Sequence, residues 1–240
     1  MNIHYFKLLI ERTAQVFKGD TYQLDPFLPL SALLGIAFRR GVSLLRCIMR
    51  GIALCPSKLV FVGAGVELRN RSFIRFGKGV TLGKNVVIDG LSHEGVTIAE
   101  GVNIGPYTVI EASGVITNLG KGIRIGEYSG VGGFSFIGGA GGVVIGKNVI
   151  IGQWVSFHPE NHIFDRTDIP IRLQGVTRQG IVVEDDCWIG AKVTFLDGAH
   201  VGKGCVIAAG AVVRGAIPPY SIAAGVPAKV IKSRLGNINS

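Results

Sequence analysis

Residues 183 to 213 read "VEDDCWIGAKVTFLDGAHVGKGCVIAAGAVV", with an aliphatic or aromatic residue at every sixth position: Val183, Ile189, Phe195, Val201, Ile207 and Val213. A period of six fits neither an amphipathic helix, at about 3.6 residues, nor the two-residue alternation of a strand. It fits a solenoid whose unit is one short strand and one tight corner, the recurring apolar side chain pointing into a triangular bore. Three units make a coil of about 18 residues, and each coil buries its apolar side chains only by stacking on the next. A sandwich with glycine turns would instead space its strands by about 8 to 12 residues.

The same count runs upstream through Ile125, Val131 and Ile137, then Ile145, Ile151 and Phe157. More loosely it takes in Leu82, Ile88, Ile98, Ile104, Ile110 and Ile116. Glycine often follows the recurring residue, as in "IGEYSG", "IGKNVI", "IGQWVS" and "IGAKVT", which assigns many of the 36 glycines to corners. Between Phe157 and Val183 the count fails, so residues 158 to 180 form an excursion loop. Such a loop costs little entropy to close, and loops held on a rigid frame commonly carry function.

The apolar content of 48% is ample for a core and argues against disorder. Cys47, Cys55, Cys187 and Cys205 stand apart, without a C-x-x-C pair or a secretory leader. That pattern predicts free buried thiols in a cytoplasmic protein. The net charge of +9 is uneven, with eight Lys or Arg against three Asp or Glu in residues 1 to 60. An anionic partner is implied, but no aromatic-interleaved basic run argues for nucleic acid, and no phosphate-binding glycine fingerprint occurs.

Residues 28 to 55, "LPLSALLGIAFRRGVSLLRCIMRGIALC", read as one or two helices. Arg39, Ser43, Arg46 and Arg50 fall on one stripe, with Leu44, Leu45, Ile48 and Ile52 opposite. The apolar run before Arg39 is too short for the ~20 residues of a membrane span. Two readings stand: a cap over the open end of the solenoid with its arginines in water, or a helix lying in the plane of an anionic membrane.

The stretch "DDCWIGAKVTFLDGAHVGKGCVIAAGAVVRGAIPPYSIAAGVPAKVIK", residues 185 to 232, together with the [LIV]-G-x-x-x-x repeat, resembles the hexapeptide-repeat acyltransferases. The likeness is greatest to the bacterial O-acetyltransferases of polysaccharide and sugar metabolism, and it covers about residues 61 to 232. It implies an all-β solenoid, a left-handed parallel β-helix over 61–217 with the excursion 158–180. An N-terminal amphipathic helical segment (1–60) would precede it and a C-terminal tail (218–240) follow. Left-handedness comes from the resemblance alone, since parallel crossovers are ordinarily right-handed.

The excursion opens with "SFHPENHIFDRTD", residues 156 to 168, which holds two of the five histidines. His158 and His162 can be read as metal ligands, as structural loop residues, or as a general base for removing a proton from an alcohol. The metal reading lacks a third ligand nearby, His93 and His200 lying coils away by count. The resemblance places the catalytic histidine in a local N-H-x-x-D pattern, which "NHIFD" matches with His162 as base and Asp165 three residues on. His158, followed by Pro159, is a partial match, and Glu160 or Asp165 would orient the imidazole.

The resemblance further implies acetyl-CoA as co-substrate, without a metal. The amides of Ala191 and Ala209 would meet the acetyl carbonyl or pantetheine, Trp188 would line the channel, and Arg214, Lys229 and Lys232 would meet the phosphates. An amide on the carbonyl would also stabilise the oxyanion. The acceptor would be a sugar or polysaccharide hydroxyl, lipid-linked if the helix touches a membrane, and the assembly a homotrimer with sites between neighbours. N-acetylation of an amino sugar, a zinc-dependent hydratase and a non-catalytic β-helix scaffold are the alternatives.

Overall fold

The computed structural model describes residues 11, 12, 15, 23–51 and 59–236. Ile52 and Cys55, to which the helix was expected to extend, lie outside the described residues. From Phe61 to Ala224 the chain winds through three walls of short strands, whose rungs pair in parallel with the rung one turn away. The first wall runs from Phe61–Val62 to Ser221–Ala224, the second from Glu67–Arg69 to Val212–Val213, and the third from Ile74–Phe76 to Ala216–Ile217. This is a left-handed parallel β-helix. Corners one, two and three follow the first, second and third walls respectively.

The recurring apolar residues fill the bore as expected. Leu82, Ile104, Ile189 and Ile207 line it from the first wall and Ile88, Ile110, Ile137 and Val213 from the second, all almost wholly buried. Burial of each such side chain contributes roughly 1.5–3 kcal/mol. Phe157 and Phe195, opposed in register on the second wall, stack with ring centroids 4.6 Å apart. They fill the bore where an aliphatic pair stands in other coils.

Eighteen residues separate register partners in one turn alone, at Val182 and His200, Trp188 and Val206, and Thr194 and Val212. The step is 20 residues from Gly130 to Ile150 and 27 from Asn103 to Gly130. Some of the excess lies in the third wall, whose three-residue strands send two side chains inward, as Val143 and Ile145 do. That is why Ile137 and Ile145 stand eight apart and not six. More lies in a loop after Val109–Glu111, and it corrects one expectation: Ile116 is not a repeat residue but is 91% exposed, beside a bridge between Val115 and Asn118. The longest step, 38 residues from Ile150 to Trp188, contains the excursion, yet the strands on both sides of it stay in register. At about 0.6 kcal/mol per doubling of loop length, the frame tolerates it.

The glycine that follows most inward residues of the first wall has a steric cause. A Cβ built on Gly152 would lie 2.6 Å from the backbone N of Ala191, and one on Gly190 would lie 2.5 Å from that of Ala209. At Gly152 and Gly190 the next coil could not stack at strand spacing with a side chain there.

Helix α1 (Leu30–Met49) lies across the open end of the first coil. Its docked face buries Leu33 and Cys47. Arg40 donates to Thr81 Oγ1 at 2.9 Å and sits 4.6 Å over the Phe61 ring, and Arg50 donates to the Val66 carbonyl. The helix is therefore a cap, but its faces differ from those expected. Two arginines turn toward the β-helix and not to water, while Leu45 and Ile48 are exposed. At the other end, Lys229–Ser233 adds one antiparallel rung to Ser221–Ala224.

Phe195→Ala, which empties half of the aromatic pair, is expected to cost about 3–5 kcal/mol. Chemical denaturation followed by circular dichroism should show that loss, whereas Trp188→Ala, on the outer face of the same coil, should cost much less.

Candidate active site

The excursion leaves the second wall at His158. Phe157 points into the bore, so by alternation His158 points out, where its ring stacks on Phe136 with centroids 5.7 Å apart. After the buried Pro159, Asn161–His162 pairs antiparallel with Val176–Thr177, His162 opposite Val176. Ile163 N–H donates to the Gly175 carbonyl at 3.0 Å, extending this small ribbon. His162 is thus an exposed imidazole on a hydrogen-bonded backbone. The loop tip is braced from within by Gln174, whose side chain accepts from Arg166 N–H and donates to the Arg166 and Ile169 carbonyls.

Two residues that sequence reasoning missed hold the base of this loop. Arg178 Nε donates to Glu160 Oε2 at 2.7 Å, while Nη1 reaches Asn118 Oδ1 and the Leu119 carbonyl, both at 3.0 Å. Both partners of the pair are more than two-thirds buried. Asp197, 7% exposed, accepts from the backbone N–H groups of Gln179 and Gly180 at 2.8–3.0 Å, fixing the point of re-entry. The one available signal was Asp197 beside a glycine on a corner of the repeat. The partnership of residues 60 positions apart leaves no mark in a periodicity.

These contacts bear on the orienting carboxylate. Glu160 faces Arg178, and among the described residues no hydrogen bond joins Glu160 or Asp165 to His158 or His162. Asp168, farther along, pairs with Arg166, which holds its carboxyl below the usual range. No group of three His, Cys, Asp or Glu side chains converges as a metal-ligand set among the described residues.

The residues expected to hold the donor lie elsewhere on the triangular column. Trp188, 57% exposed, projects from the first wall, and Lys232 follows in the same outward column three rungs on. Lys229 lies on that terminal rung as well. Ala191 and Ala209 occupy corner one of successive coils, and among the described residues their N–H groups donate to no ladder acceptor. Arg214 stands apart from these at corner two, in the column of His158 and two coils beyond it. At strand spacing that is roughly 10 Å along the axis.

Corner one carries a further feature not foreseen. Tyr107, Phe134 and Trp154 stack at 4.9 and 4.6 Å, each three residues after an inward aliphatic. That shared offset was visible in the sequence. The thiols of Cys187 and Cys205 are buried at corner three; burial pushes Cys187 up to about 11 and raises Cys205 too. Both stay protonated near neutral pH and are poor nucleophiles.

Residues 180–215 match the family model described as bacterial transferase hexapeptide (six repeats). Over 92 residues, 38% of this chain and 31% of the relative, the sequence is 45% identical to a probable acetyltransferase of Mycobacterium tuberculosis. Over 172 residues it is 27% identical to a putative lipopolysaccharide biosynthesis O-acetyl transferase of Escherichia coli, covering 69% of this chain and 74% of that one. The chain thus spans under a third of the former relative and about three quarters of the latter. Among solved structures, the hexapeptide-repeat containing acetyltransferase of Vibrio cholerae aligns with TM-score 0.43 and 30% identity over 47% of this chain and 62% of that one. The chain carries the hexapeptide repeat, and its resemblance to the hexapeptide-repeat acyltransferases holds.

Arg178→Ala should release the base of the excursion. Limited trypsin digestion is expected to cut after Arg166 or Arg172 several-fold faster than in wild type, with an unchanged circular dichroism spectrum; equal cleavage rates would mean that the ribbon alone holds the loop.

Proposed function

We propose that this protein transfers an acetyl group from acetyl-CoA to a hydroxyl of a sugar or polysaccharide precursor. The observation that carries the reading is His162, an exposed imidazole on a braced ribbon in the longest interruption of the solenoid. A sugar hydroxyl is un-ionised at neutral pH, and an imidazole is the side chain suited to accept its proton as the oxygen attacks. The nucleophilic oxygen bonds to the thioester carbon, the carbonyl oxygen takes negative charge, and unpaired corner amides such as those of Ala191 and Ala209 would stabilise it. Collapse expels the CoA thiolate, which the protonated His162 can neutralise. The putative O-acetyl transferase activity of the Escherichia coli relative favours a hydroxyl acceptor of the polysaccharide class.

The base and the donor residues other than Arg214 occupy different corners of one chain. A complete site therefore takes corner two of one copy and corner one of another, which a homotrimer of parallel columns provides. In that arrangement Lys229 and Lys232 at the terminal rung would meet the phosphates of CoA, and Trp188 its pantetheine arm.

Calorimetric titration with acetyl-CoA tests the donor half without knowledge of the acceptor. Binding at about one site per chain, weakened in the Lys229→Ala, Lys232→Ala double variant, is expected; no binding up to millimolar concentration would overturn the reading. With a sugar acceptor in hand, His162→Ala should lower turnover by ~10²- to 10⁴-fold while retaining donor affinity.

A further inference from the structure

Helix α1 has three faces. One, centred on Leu33, Arg40 and Cys47, is spent on the first coil. At about 100° per residue, Leu34, Phe38, Leu45, Ile48 and Met49 fall within an arc of roughly 100° directed away from that contact. All five are exposed, Phe38 at 73% and Met49 at 77%, and Phe27, just before the helix, at 94%. The third face adjoins this arc and carries Arg39 and Arg46. Among the described residues no carboxylate lies within ion-pair distance of either.

An apolar arc of this size on a capping helix is not needed for the cap, which is made by the opposite side. Its charge surroundings identify what it meets. Residues 26 to 66 contain five Arg or Lys and no Asp or Glu. Two of the five, Arg40 and Arg50, are committed to the β-helix. A protein partner would present mixed charge, whereas an acid-free apolar strip edged by cations fits a surface that is apolar beneath and uniformly anionic above. No described helix is long and apolar enough to cross a membrane. At 1.5 Å per residue α1 is about 30 Å long, and it offers this strip along nearly its whole length.

We infer that α1 is an interfacial anchor: it docks on the β-helix by one face and seats Leu34, Phe38, Leu45, Ile48 and Met49 in an anionic lipid bilayer, with Arg39 and Arg46 at the headgroups. The two roles expected of this segment from sequence are compatible, because they use different sides of one helix. The chemistry proposed for the excursion loop plays no part in this inference.

The test uses the full chain and vesicles of equal parts phosphatidylglycerol and phosphatidylcholine, beside vesicles of phosphatidylcholine alone, in a flotation assay. Wild type should float with the anionic vesicles, more weakly as salt rises, and remain free of the neutral ones. Phe38→Asp with Leu45→Asp should abolish flotation, and Arg39→Gln with Arg46→Gln should reduce partitioning by at least ~tenfold. All four positions lie off the docked face, so an unchanged melting temperature is expected in both variants. Failure of wild type to float, or flotation of the aspartate variant like wild type, overturns the inference. A loss of oligomer size in the aspartate variant with vesicle binding intact would assign the arc to a second copy of the chain instead.

Discussion

Everything in this molecule depends on coils stacking in register. A single turn of the β-helix has no core of its own: its inward side chains are buried by the turns above and below, and most of its backbone hydrogen bonds run to the same neighbours. The demand falls on three positions in each unit. An apolar residue must fill the bore, a small or hydroxyl-bearing one must sit at the corner behind it, and glycine must follow wherever the next backbone passes within about 2.6 Å of a would-be Cβ. Buried Ser129 and Ser135 show how a polar residue meets this demand. Each hydroxyl donates to a carbonyl, of Gly146 and of Gly132, and accepts a backbone N–H, of Val149 and of Val155.

This dependence explains what could be read in advance. The six-residue period is a direct imprint of bore geometry, so Ile189, Phe195 and Val201 were legible as inward residues, and the loss of count after Phe157 marked the excursion. Coil length was not legible. An extra inward residue in the third wall, as at Val143, changes the spacing without changing the composition. For the same reason Ile116 was misread, since a loop residue can fall in phase with a period by chance. The faces of α1 were misassigned because a helical wheel orders side chains around an axis but does not say which side meets a neighbour. There Arg40 lies over an aromatic ring and Leu45 is left exposed.

The site was legible in its residue types more than in its connections. A histidine in a break of the repeat could be singled out, and the structure gives it a paired backbone and an exposed ring. The carboxylate nearest in sequence, Glu160, is instead the counterion of Arg178, which also reaches the loop at Asn118 and Leu119. Two loops from different coils are thereby tied at one point, and the histidine ribbon rises from that tie. The frame fixes where the loop begins and ends to within a strand register, and leaves its interior to contacts of the loop's own making.

The two ends of the column differ from its middle. A stack of near-identical rungs has no intrinsic length, since its last strand offers the same unpaired amides and carbonyls to a newcomer as any rung offers to the next. Here α1 lies across one end, and at the other Lys229–Ser233 pairs in the opposite direction, with a register shift at Ile222/Ala223 and two outward lysines. Both devices cover or reverse a terminal rung, so neither end presents the parallel pairing by which one coil continues the next.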